Sequence, residues 1–217
     1  MHLILHNYWR SSASYRIRIA LALKELPYEY IGVSIQTGID AQHEEAYRKL
    51  NPQARVPTLQ ANGQVLTQSM AILEWLDEVV PNPPLLPTDA FERAQVRALA
   101  QIIVADIQPL QNIAVTRHLA TIGLDNKVIT DWVKHWITRG LRVFEHQLTH
   151  ATPGVFCHRD SPSLADICLI PQCYAARRFG VDLESFPTLL AIEQHCLAQD
   201  AFKHAAPENQ PDAEVPI

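Results

Sequence analysis

The stretch "WRSSASYRIRIAL", residues 9–21, decides the fold. Ser11, Ser12 and Ser14 stand directly in front of an apolar run, and serine is among the residues best suited to accept the orphan N–H groups at the mouth of a helix. A helix is therefore expected from these serines to about Lys24, closed by Pro27. Before it, Leu3-Ile4-Leu5 reads as a short buried strand. The serines thus sit at the joint between a strand and a helix.

Working outward, Tyr28 to Ile35 is aromatic and β-branched, which predicts a second strand, and Ala41 to Leu50 predicts a helix ended by Asn51-Pro52. Val56-Pro57-Thr58-Leu59 and Val65-Leu66-Thr67 flank Asn62-Gly63, a strong hairpin signal. A further helix is expected from Ser69 to Val80. The order β-α-β-α-β-β-α describes a mixed sheet with one parallel crossover and a closing hairpin, the order of a thioredoxin-like domain over residues 1–82. Pro81-Asn82-Pro83-Pro84-Leu85-Leu86-Pro87 cannot continue a helix, so a linker is expected over 83–90. Beyond Phe91, apolar residues recur at spacings of three and four, at Leu99, Ile103, Ile107 and Leu110 and again at Val133, Ile137, Leu141, Phe144 and Leu148. Further helices are expected from Ser163 to about Phe179 and from Pro187 to Leu197. The fold class is therefore α/β plus all-α, with a helical C-terminal domain over 91–217.

The chain has 217 residues, 47% hydrophobic and 19% charged, with a formal net charge of −5. That balance argues against a general nucleic-acid binder, and no unbroken apolar run approaches the ~18 residues of a membrane span. The first six residues carry no basic leader, so a cytoplasmic location is expected. Cys157, Cys168, Cys173 and Cys196 show no CxxC spacing and are expected to be buried free thiols. The ten histidines are scattered, and no metal site is expected.

In a thioredoxin-like fold the reactive group lies at the N-terminus of the first helix, where free N–H groups favour an anion. Here that place holds Ser11-Ser12-Ala13-Ser14, without a cysteine, which excludes a disulfide oxidoreductase of the usual kind. Hydroxyls can instead donate to a thiolate carried by a ligand, and each pH unit taken off a thiol pKa of about 8.5 corresponds to about 1.4 kcal/mol of preference for the anion. Val56-Pro57, before a strand, can present backbone groups to an extended ligand through a cis proline turn. Gln68-Ser69, at a helix start, can hold a carboxylate. All three converge on one groove in this fold.

The segments "SSASYRIRIALALK" (11–24), "NPQARVPTL" (51–59), "QSMAILEWLDE" (68–78) and "IQPLQN" (107–112) resemble the zeta class of glutathione transferases, and the likeness runs to the tail "QPDAE" (210–214). The resemblance implies glutathione as a regenerated thiol cofactor. It implies Ser11, Ser12, Ala13 and Ser14 around the sulfur, with Ser11 or Ser12 as the thiolate stabiliser. Val56 would lie against the cysteinyl backbone and Gln68 with Ser69 at the γ-glutamyl end, while Gln42, Gln108 and Asn112 complete the site. Most members of the class have cysteine where this chain has Ala13, which leaves the site to the serines. The implied reaction is cis–trans isomerisation of a dianionic diketo acid, maleylacetoacetate or the related maleylpyruvate. Arg117, in "NIAVTRHL", tilts the choice to the former.

Arg10 and Arg178, in "ARRFGVDL", are then the expected carboxylate and enolate clamps, with Arg177 as a neighbour able to exchange roles. Arg16 and Arg18 are expected to be structural, making ion pairs across a domain or subunit boundary. Ser163-Leu164-Ala165-Asp166 reads as a capping box. A homodimer is expected, as in the class. A general conjugating transferase or α-haloacid dehalogenase and a non-catalytic thiol-binding module are the rival readings.

Overall fold

The structure, a computed structural model, describes residues 1–150 and 154–213. It divides into two compact units at Pro84/Leu85, within the proline-rich segment. The first is built on a four-stranded sheet of order β2-β1-β3-β4, with β1 Leu3–Asn7, β2 Glu29–Gly32, β3 Thr58–Ala61 and β4 Gln64–Thr67. β1 runs parallel to β2 and antiparallel to β3, and β4 closes the sheet by a hairpin from β3. Asn62 and Gly63, both at positive φ, make the hairpin turn, as their pairing foretells. β2 is shorter than the aromatic run suggests, because β1 offers its last bond at Asn7, whose C=O accepts from Val33 N–H at 2.7 Å.

Helix α1, Ser12–Leu23, follows β1; α2, Glu45–Leu50, and a short 3-10 turn at Ala41–His43 follow β2; α3, Ser69–Val79, follows β4. Ile17, Ile19, Ala20 and Leu21 of α1 are fully buried, with Leu5 and Leu59 of the sheet and Ile72, Leu73 and Leu76 of α3. Between these apolar layers Lys24 is buried, with its ammonium bound to Asp77 at 2.9 Å and to the carbonyl oxygens of Val80 and Pro83. It thereby anchors the exit from α3. The Val56–Pro57 peptide is cis, as expected, and so is Asn82–Pro83.

The chain end departs from the expected 91–217 helical domain. From Ala198 on, the described residues belong to the first unit, through α10, Asp200–Ala205, and the turn at Pro207–Asn209. The reason lies in the polar groups they serve. Ala205 C=O accepts from Arg18 Nε at 3.0 Å, Phe202 C=O accepts from the Tyr15 hydroxyl, and the Asp212 carboxylate accepts from Trp9 N–H at 3.2 Å and from the Tyr30 hydroxyl. Donors buried in the first unit would otherwise be left without acceptors. Glu214, the last residue of the tail quoted above, lies outside the described residues.

The second unit is helical: α4 Ala90–Gln101, α5 Gln108–Gln111, α6 Ile113–Thr121, α7 Asn126–Thr149, α8 Leu164–Arg178 and α9 Pro187–Ala198. The helical spacing of Leu99, Ile103, Ile107 and Leu110 does not run through one regular helix: it passes from α4 through a π-helical turn at Ile102–Ile107 into α5, and the chain breaks at Asn112, which caps α6. By length and composition alone the run Ala90–Thr121 could cross a bilayer. Val96, Leu99, Ala100, Ile103 and Ile107 nevertheless turn into the core, as in a helix of a folded unit. Asp166 completes the capping box of α8: its carboxylate accepts from Ser163 N–H at 2.8 Å, Ser163 Oγ at 2.7 Å and Cys157 N–H at 2.8 Å. Burial pushes its pKa up while these donors pull it down, and burial prevails.

Gly140 of α7 lets this helix close on the π turn, since a Cβ there would land on Cγ1 of the fully buried Ile107. Gly140→Ala is expected to destabilise the protein by about 1–3 kcal/mol through this overpacking, seen as a lowered urea midpoint with an unchanged slope.

Candidate active site

The strand register brings the expected residues of the first unit to one end of the sheet. His6 lies opposite Thr58, Thr58 opposite Thr67, and Asn7 beside Gly32. The chain therefore leaves β1 toward Ser11, leaves β2 toward Gln42, enters β3 from Val56 and leaves β4 toward Gln68 at the same edge. Residues separated by up to fifty-eight positions, Ser11 to Ser69, become neighbours of one sheet end by pairing alone.

Ser11 is the N-cap of α1, with its Oγ accepting from Ser14 N–H at 3.3 Å. As an acceptor in that bond it keeps its own O–H to donate elsewhere. Ser12 and Ala13 share its half-buried setting, and among the described residues Ala13 N–H has no hydrogen-bond partner. There is no acidic residue in the first turn to neutralise the helix end. Ser14 differs from its neighbours: it is fully buried, and its Oγ accepts from Tyr8 N–H at 3.4 Å. Its hydroxyl is turned into the core.

Gln42, in the 3-10 turn, is buried and donates to Asp40 Oδ1 at 3.1 Å, while among the described residues its own Oε1 is buried without a donor. Among the described residues the N–H and C=O of Val56 are likewise unpaired, though Tyr47 and Asn51 hold the adjoining Arg55 C=O and Thr58 hydroxyl. Gln68 sits at φ +68°, ψ 114°, a sparsely populated backbone region for a non-glycine residue, and its amide donates to Gln53 Oε1 at 2.8 Å. Ser69, next to it, is buried, and its Oγ accepts from the buried Arg16 at 3.2 Å. Arg10 is half-buried with its guanidinium over the Trp9 ring, and it has no carboxylate partner among the described residues.

Three expected residues lie in the second unit. Gln108 opens α5, Asn112 caps α6 by accepting from Ala114 N–H at 2.9 Å, and Arg178 ends α8, exposed, with its guanidinium over Phe179. Arg177 is committed elsewhere: it forms a two-point pair with the buried carboxylate of Glu193, which holds its pKa up. The four cysteines are buried and form no disulfide, and burial raises the thiol pKa of Cys157, Cys173 and Cys196.

Arg18 is structural, as expected, but not through the ion pairs expected of it. Its partners are not carboxylates across a boundary but neutral oxygens of its own unit: Asn7 Oδ1 at 3.1 Å and the carbonyls of Tyr8, Trp9 and Ala205. Burial lowers its pKa. The missed signal was an arginine one helical turn behind the serines on a buried face. The histidines also include a pair at helical i,i+4 spacing, His146 and His150, whose rings stack at 4.4 Å near the end of α7. No group of three or more metal-ligating side chains occurs among the described residues.

A thioredoxin-like sheet whose ligand-facing end offers hydroxyls where a redox cysteine would stand, together with a helical unit, defines an enzyme that borrows its thiol. The comparisons agree. Residues 10–79 match the N-terminal domain of glutathione S-transferase. The chain is 46% identical over 209 residues to a probable maleylacetoacetate isomerase 2 of Drosophila melanogaster, spanning 96% of this chain and 89% of that protein. It superposes with a TM-score of 0.94 and 45% identity on the holo structure of a maleylpyruvate isomerase, a bacterial zeta-class glutathione S-transferase, over 97% of this chain and 100% of that one. With a maleylacetoacetate isomerase of Anaeromyxobacter dehalogenans 2CP-1 solved with glutathione in its active site, the TM-score is 0.88 and the identity 44%, over 98% of each chain. The chain belongs to the glutathione transferase family, in its zeta class.

Removing the Arg18 guanidinium takes donors from the Asn7, Trp9 and Ala205 oxygens, while Tyr8 C=O keeps the N–H of Ser11 at 3.0 Å. Arg18→Met is expected to cost roughly 3 kcal/mol or more in urea unfolding and to weaken glutathione binding at temperatures where the fold persists.

Proposed function

We propose that the protein is a glutathione-dependent cis–trans isomerase whose substrate is maleylacetoacetate. The observation that carries the reading is the start of α1, where an N-cap serine with a spare O–H and an unpaired Ala13 N–H await an anion, and no cysteine competes for the place. The donors and acceptors around it fit a peptide thiol. The orphan Gln42 Oε1 needs a donor, and the Val56 N–H and C=O can pair with an extended backbone as a strand does. The start of α3, with Gln68 and Ser69, suits the charged γ-glutamyl end.

When bound, glutathione supplies a thiolate that adds to the cis double bond and is expelled after rotation, leaving the trans isomer. The protein's residues do the rest. The hydroxyls of Ser11 and Ser12 hold the sulfur as an anion by donating to it, and the positive end of α1 adds to their effect. Arg10 and Arg178 receive the two negative ends of the diketo acid and hold the charge that gathers on the carbonyl oxygen. Gln108 and Asn112 complete the binding of cofactor and substrate. Ser14 contributes to this site through the backbone it secures at Tyr8.

Maleylpyruvate is the second reading, because identity of 45% to a maleylpyruvate isomerase stands level with 46% to a maleylacetoacetate isomerase. A coupled assay run on both acids decides between them: turnover of maleylacetoacetate well above maleylpyruvate is expected, and the reverse order would exchange the assignment. In the same assay Arg178→Ala is expected to lose about 10²-fold in isomerase kcat/KM, with conjugation of a neutral electrophile retained. Arg177→Ala, which breaks only the Glu193 pair, should lose far less. Equal loss of both activities in Arg178→Ala would refute the clamp.

The protein is further inferred to be a cytoplasmic homodimer. Four free cysteines suit a reducing compartment. Ile102, Val104, Ile113, Val115 and Leu119 are only half-buried within the chain, which leaves apolar helix surface for a second copy to cover. Light scattering should give twice the 24.5 kDa chain mass; the monomer mass would count against it.

A further inference from the structure

In the second unit two glutamines face each other in the core. Gln111 Nε2 donates to Gln172 Oε1 at 2.8 Å, and Gln172 Nε2 donates back to Gln111 Oε1 at 3.2 Å. Gln172 is fully buried and Gln111 is 9% exposed. An amide pair in such a place is a poor source of stability, because each amide has been stripped of water and, among the described residues, hydrogen-bonds to the other alone. Two apolar residues of similar volume would pack there as well or better. What the pair supplies is register. Its two antiparallel bonds can be made in one relative placement of the helices, whereas methylene against methylene tolerates sliding.

The helices it fixes are those that carry the second unit's share of the site. Gln111 is in α5 between Gln108 and Asn112, one turn from the first and adjacent to the second. Gln172 is in α8, the helix that ends at Arg178. α5 is only four residues long, between a π-helical turn and the break at Asn112, so its own backbone gives little rigidity. The pair is its polar tie to α8.

We propose that Gln111 and Gln172 are positioning residues, whose reciprocal amide bond sets Gln108 and Asn112 at a fixed distance from Arg178 and so tunes the site for the isomerase reaction. This rests on the reading of those three residues given above. It extends that reading to two side chains that meet each other in the core.

The test compares Gln111→Met, Gln172→Met and the double variant in the full-length protein, by thermal unfolding, isomerase kinetics and amide hydrogen exchange over residues 108–112. Each single variant strands one buried amide and should lower Tm, while the double variant removes both and should return close to the parent Tm. With Tm restored, kcat/KM of the double variant should stay about tenfold or more below the parent, because a small misplacement of binding groups is costly in rate. Exchange over 108–112 should be about tenfold faster at equal global stability. Parent-like kinetics and exchange in the double variant would overturn the proposal and leave the pair as packing alone. Arg178→Ala separates this from the underlying reading. Loss of turnover there with none in the double variant sinks the positioning role only. Intact turnover in Arg178→Ala sinks the clamp, while the exchange result still decides whether the pair orders α5.

Discussion

The buried guanidinium of Arg18 is the constraint on which the first unit turns. It reaches the side chain of Asn7 at the end of β1, the carbonyls of Tyr8 and Trp9 that follow, and the end of α10 at Ala205. A charge so placed is tolerable only if its donors find acceptors, and backbone carbonyls that have no strand or helix partner are the acceptors at hand. Arg10 and Ser11 follow directly in the chain. The positions of the reactive hydroxyls are thereby tied to a cation in the core, and so is the return of the chain end to the first unit.

From that anchor the site follows with little further expense. A mixed sheet with one parallel pair and two antiparallel ones delivers four loops to one edge, and each carries a group that a peptide ligand can use. Among the described residues several are left in states that a folded chain usually avoids: an acceptor at Gln42 buried without a donor, an unpaired backbone at Val56, and a positive φ at Gln68. Unsatisfied or strained groups gathered at one edge are a physical signature of a site prepared for something outside the chain. In the second unit some polar side chains instead pair with one another, as at Arg177 with Glu193 and Gln111 with Gln172.

The first unit was legible in the sequence because its signals are local. Serine caps, the Asn62-Gly63 turn and the proline at 57 each act within a few residues, and the element order left one topology to choose. The capping box at Ser163 and Asp166 was legible for the same reason. The tail was not. The six residues of α10 offer too short a period to register, and their place is set by Arg18, Tyr15 and Trp9, nearly two hundred positions earlier. The π turn was hidden because Leu99, Ile103 and Ile107 keep a helical spacing through it. Arginines were the hardest to read. Arg16 and Arg18 look like surface charges by type and like core by position, and only the structure shows position winning. Gln111 and Gln172 had no signal beyond a polar residue on an apolar face.

The account depends most on the claim that the hydroxyls at the start of α1 hold a glutathione thiolate. Its most direct test is a pH titration of the ultraviolet absorbance of glutathione bound to the protein, beside the same titration with Ser11→Ala and Ser12→Ala. A thiol pKa at least about one unit below the free value of about 8.5, moving back toward it in one of the serine variants, is the expected result. A bound thiol that titrates at or above 8.5 in the parent protein would contradict it.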